Sequence, residues 1–184
     1  IHPTELFGHA QGEASNHLWM FWRAGEAGAV SNYPVGVPIP LMDPVNLPVY
    51  RAFSWVHPAL GYNAVWCFNL VLAYSGAAFL ARVMGVSSSA SVVAGVACAF
   101  SPFLSGLGSF GITESWGIGW LGLHCAFLLR YGEDRRDADL AFSALSLAAF
   151  LWTGWYSAVF ALVAECCVGL TLMRRRQLGL GVLV

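Results

Sequence analysis

After Gly61 the chain consists of long stretches without charge. No Asp, Glu, Lys or Arg occurs between Tyr62 and Ala81, Val83 and Thr113, Ser115 and Leu129, or Leu140 and Ala164. A bilayer core is crossed by about 20 apolar helical residues. Inside it, backbone polar groups must be satisfied without water, which selects helices for runs of this kind. The expected fold class is therefore all-α, a polytopic membrane helix bundle. Composition agrees. The chain is 58% hydrophobic and 10% charged, where soluble domains have about 45–50% apolar and about 25% charged residues.

Five spans are expected: 62–84, 90–107, 116–130, 140–152 and 156–173. Ser87-Ser88-Ser89, the GSFGITES segment 108–115, the charged segment 131–139 and a break at Thr153-Gly154-Trp155 separate them. Arg174, Arg175 and Arg176 close the last. This divides the chain into a loop, 1–60, and a spanning part, 61–184. The start at Ile1 and the apolar run from Leu178 to Val184 read as cuts from a longer polytopic protein.

The stretch Gly8–Pro58 differs from all of this. Seven of the eight prolines lie at or before Pro58, and His9, His17, His57, Glu13, Glu26, Asp43, Arg23 and Arg51 fall within it. Helical periodicity over 14–27 places Leu18, Phe21, Trp22 and Gly25 on one face and Glu13, Asn16, His17 and Met20 on another. The segment is too short and polar to span. Its Trp19 and Trp22 suit an amphipathic helix lying in the headgroup region. Pro34, Pro38, Pro40, Pro44 and Pro48 exclude one regular element over 31–58, and a short helix fits near 47–56.

Alternation of the spans puts Arg82, Arg130, Arg135, Arg136, Arg174, Arg175 and Arg176 on one side, seven of the nine arginines. The positive-inside rule makes that side cytoplasmic. The 1–60 loop, segment 108–115 and the 153–156 turn are then expected together on the non-cytoplasmic side of an integral, inner-membrane-type protein.

Several chemistries are set aside. No basic patch serves nucleic acid. The five cysteines lie in apolar segments without CxxC spacing and read as small buried hydrophobes. No Gly-rich phosphate loop follows a strand, and neither GxSxG nor HExxH occurs.

The candidate site residues lie toward the outer face. Glu13 precedes His17 by four residues, a spacing that lets the pair hold a divalent metal or act on an acceptor hydroxyl; the plainer reading is a helix-start Glu beside an exposed His. Glu114 is either a second acid facing the same cavity or a solvated helix-start Glu. Arg51 is either a phosphate ligand, through its planar guanidinium, or an interfacial anchor. Glu165 lies inside the last span, where an ionisable group is a functional candidate by default; a structural role fits it better. His124 reads as a satisfied core histidine.

Several short motifs resemble bacterial integral membrane glycosyltransferases of the GT-C type. They are Gly12-Glu13 followed by Trp19 and Trp22, Asn32-Tyr33-Pro34-Val35-Gly36, Tyr62-Asn63, Ala99-Phe100-Ser101-Pro102-Phe103, and Gly111-x-x-Glu114 with Gly119-Trp120-Leu121. Many members carry an acidic pair in the first outer loop, where this chain has Glu13 alone. The resemblance implies a polyprenyl-phosphate-linked sugar donor, transfer to an acceptor at the outer face, and Glu13 and Glu114 as catalytic carboxylates with His17 and Arg51 binding substrate. A divalent metal is the one cofactor left open. The alternatives are a non-catalytic relative in lipid or polysaccharide export, and a transporter, which is expected to carry polar groups at mid-membrane.

Overall fold

The structure is a computed structural model that describes residues 4–8, 12–24, 30–31, 37–38, 43–110, 116–154 and 157–181. Most of them lie in helices: α1 (Ala14–Arg23), α2 (Leu47–Ser54), α3 (Pro58–Val83), α4 (Ser88–Ala99), α5 (Pro102–Phe110), α6 (Ile118–Asp134), α7 (Asp137–Thr153) and α8 (Ser157–Gly181). One two-residue antiparallel ladder pairs Val30–Ser31 (β1) with Val37–Pro38 (β2). Three stretches are long and apolar enough to cross a membrane: Pro58–Val83, Ser88–Gly106 and Ser157–Arg174. α6 and α7 have 17 residues each.

Local chemistry sets the helix ends. α3 begins four residues before the expected Tyr62. Pro58 takes the first turn, where its missing N–H costs nothing, and His57 caps it by accepting from the Ala59 amide at 3.2 Å. Ser87 caps α4 through the Ala90 amide. Pro102 interrupts the expected second span, and Ser101 caps the new start by accepting from the Leu104 amide at 3.3 Å, as Ser and Pro do at helix N-termini. The expected charged turn 131–139 shrinks to Arg135 and Arg136. Arg135 adopts the left-handed conformation (φ 56) that closes helices, while Asp137 and Asp139 enter the first turn of α7, where the helix dipole favours carboxylates. α8 runs past Arg174 to Gly181, because Leu172 and the arginines carry no breaker.

Small residues hold the bundle together. At the crossing of α3 and α6 a Cβ on Gly76 would collide with the Gly119 carbonyl, and one on Gly119 with the Leu72 carbonyl. Such close approach is how helices associate where lipid removes the hydrophobic drive between them. Cys125, Leu129 and Val168 form a cluster with Leu80, Val83 and Leu172, so the C-terminal ends of α3, α6 and α8 meet. The opposite ends meet in a second cluster of Ala14, Phe21, Tyr50, Tyr62, Val65 and Trp116, which joins α1 and α2 to the starts of α3 and α6. The end of α7 lies at that same end, with Thr153 against Gly117.

Candidate functional site

Glu13 stands at the N-cap position of α1, as expected, though its side chain makes no cap bond. Its Oε2 lies 3.4 Å from His17 Nε2. The helix turns differently from the sequence expectation. The buried residues of α1 are Ala14, His17 and Phe21, an i, i+3, i+7 stripe. His17 therefore belongs to the packed face, 3% exposed, and Trp22, assigned to that face from the sequence, is 47% exposed. The plainer alternative, an exposed His17, is corrected by this burial: Phe21 stacks on Tyr50 of α2 at 5.3 Å and turns His17 inward with it. Residues 25–27 of the expected helix lie outside the described residues.

The carboxylate of Glu13 remains exposed while its imidazole partner is fixed in the core. An imidazole held this way can orient the carboxylate or exchange a proton with it. Together the two supply two ligands to a cation; among the described residues no group of three or more His, Cys, Asp or Glu is placed to hold a metal.

Arg51 lies on α2, exposed, and one guanidinium N–H donates to the Ala24 carbonyl at the end of α1 at 3.2 Å. That bond satisfies an orphan carbonyl of α1. A guanidinium has five N–H donors, so phosphate binding remains open to it. Glu114 lies outside the described residues. Its near neighbour Trp116 is buried and meets Tyr62 edge-on at 5.8 Å. Burial pushes the Tyr50 hydroxyl above its ordinary 10.0.

Two hydrogen-bonded sets escaped the sequence reading. Asn46 donates to Asp43 at 2.7 Å, and Asn69 of α3 donates to Asn46 at 2.9 Å and to the Val65 carbonyl at 2.9 Å. The signal was Asn69 in an otherwise apolar run, since a buried amide needs partners. Asn63 donates to the Glu5 carbonyl at 2.7 Å and accepts from the Phe7 amide at 3.0 Å. Both sets tie the polar N-terminal part to α3.

Deeper in the bundle, His124 of α6 joins α7 and α8. Its Nε2 lies 3.0 Å from Glu165 Oε1, and its Nδ1 lies 2.9 Å from Ser143 Oγ and 3.1 Å from the Ser143 carbonyl. His124 is the satisfied core histidine expected, and Glu165 is its partner. Sequence reasoning named no partner residue for Glu165 and overlooked Ser143. Nearby, α3, α4, α6 and α8 line a half-open apolar cavity of about 380 Å³, running from Ile118 to Leu129 along α6.

No protein-family model, no curated protein and no solved structure matches the chain.

Proposed function

We propose that this chain belongs to an integral membrane glycosyltransferase of GT-C type. It moves a sugar from a polyprenyl-phosphate-linked donor to an acceptor at the non-cytoplasmic face. The single observation that carries the reading is convergence: Ala14, beside Glu13, and Trp116, two residues after Glu114, belong to one buried cluster. Ala14 and Trp116, far apart in sequence, thus meet at one end of the bundle. In this reading Glu13 is the base or metal-organising carboxylate, His17 holds it in place, Glu114 is the second acid and Arg51 meets the donor phosphate. The apolar cavity against α6 suits an isoprenoid chain. The 1–60 loop is non-cytoplasmic, because the arginines gather at the other ends of the helices, and α6 and α7 complete five spans.

The test is sugar transfer by membranes carrying the protein, supplied with polyprenyl-phosphate-linked mannose, glucose or aminoarabinose. Glu13→Gln should lower turnover on the order of 10²–10⁴-fold, the usual scale for a general base. Undiminished transfer overturns the assignment. A transporter is the second reading, favoured by the polar cluster of Glu165, His124 and Ser143 within the helices. Substrate uptake into proteoliposomes without sugar transfer would select it.

A further inference from the structure

Glu165 lies nine residues into the apolar stretch Ser157–Arg174, about 12 Å from its start at 1.5 Å per residue. We propose that Glu165, His124 and Ser143 form a membrane-embedded proton-binding site in which carboxylate and imidazole share one proton and Ser143 orients the ring. The site is separate from the outer-face carboxylates and stands whichever activity the chain has.

The ring nitrogens take donor or acceptor roles according to the tautomer, and Nδ1 lies within reach of both the Ser143 hydroxyl, at 2.9 Å, and the Ser143 carbonyl, at 3.1 Å. The carbonyls of Ser143 and His124 only accept. With its hydrogen on Nδ1, the ring donates to the Ser143 carbonyl at 3.1 Å, and the Ser143 hydroxyl donates to the His124 carbonyl at 3.2 Å. Nε2 and Glu165 Oε1, 3.0 Å apart, then need one hydrogen between them. It sits either on the carboxyl, donating to the ring, or on the ring, donating to the carboxylate. Both forms are neutral overall and satisfy every partner. Releasing this proton leaves one net negative charge on the pair among apolar side chains, which is costly.

The surroundings leave these two groups to each other. Cys125 of α6 is within electrostatic reach of Glu165, and Cys167 of α8 within reach of Cys125; Cys166 adjoins Glu165 in sequence and points outward, exposed. Asp139 of α7 pairs with Arg130 at 3.5 Å. Arg174 is more than two turns further along α8. Among the described residues no arginine pairs with Glu165. The Glu165 side chain is 40% exposed, which leaves its carboxyl open to an apolar reagent.

Dicyclohexylcarbodiimide, an apolar reagent that attacks protonated carboxyl groups, tests this in the unaltered protein in lipid nanodiscs, with modified residues mapped by mass spectrometry across pH. Glu165 is expected to be modified, with a pH midpoint that moves by at least one unit in His124→Gln, a tenfold change in proton affinity. Ser143→Ala, which keeps both titrating groups, should move it in the same direction by less, and it serves where His124→Gln does not fold. Glu165 unmodified at every pH, or a midpoint that neither substitution moves, overturns the proposal.

Discussion

Gly122→Ala tests directly how the bundle is held. The added Cβ would lie 2.9 Å from the Gly76 carbonyl carbon, 3.1 Å from its oxygen and 3.2 Å from its Cα. All three are backbone atoms, so no side chain can rotate away and α3 must move off α6. Over-packing of this kind typically costs about 1–3 kcal/mol. Against it stands the preference of a helix interior for Ala over Gly, about 1 kcal/mol. Gly169 of α8 supplies the control. A Cβ there meets nothing within 4 Å, so Gly169→Ala carries the propensity gain alone. The difference between the two variants isolates the steric cost, about 1–3 kcal/mol. In a chain of this size each kcal/mol moves Tm by about 2–4 °C. Thermal unfolding in detergent should therefore place Gly122→Ala roughly 2–12 °C below Gly169→Ala. Equal midpoints, or Gly122→Ala the more stable, would refute the close crossing.

The other expectations concern the polar layer and the sidedness. Asn69→Leu leaves Asn46 without its donor in a buried site and should cost about 1–3 kcal/mol in denaturant unfolding; a loss no larger than that of an exposed substitution contradicts the network. Tyr50 holds its proton more tightly in the folded state than in the unfolded chain. That stabilisation is complete below about pH 10 and lost as pH rises through the raised folded value, so Tyr50→Phe should unfold less readily than the parent in strong alkali, and identical alkaline profiles would contradict it. Cysteines introduced singly at Ser31 and Ser88, in a cysteine-free background, should react from outside with an impermeant reagent at Ser31 only; the reverse pattern inverts the topology.

The helices were legible because their information is local. An uncharged run says helix whatever it packs against, and Pro48 and Pro58 mark where α2 and α3 begin. The misread boundaries have local causes too. Pro58 was taken as loop although its ring suits a first helical turn, and residues 131–134 were taken as turn although they extend α6. What the sequence could not disclose is pairing. His124 and Glu165 are 41 residues apart and His124 and Ser143 are 19 apart, so nothing in either neighbourhood names the partner. The face of α1 failed for the same reason. Leu18, Phe21 and Trp22 are all apolar, and only the stacking of Phe21 on Tyr50 decides that the stripe runs through His17 rather than Trp22.

The position of Glu13 therefore depends on residues distant from it. α1 touches α2 through Phe21 on Tyr50 and through Arg51 on the Ala24 carbonyl. α2 is locked to α3 where Gly61 admits the Tyr50 carbonyl, 2.7 Å from where a Cβ would stand, and where Asn69 holds Asn46. The first two links join α1 to α2, and the last two join α2 and the residues before it to α3, the helix that also crosses α6 at Gly76. A change at Gly61 or Asn69 should then be felt at the Glu13–His17 pair, though neither residue is near it in sequence. If the outer face carries the chemistry, part of what positions it is written in the apolar half of the chain.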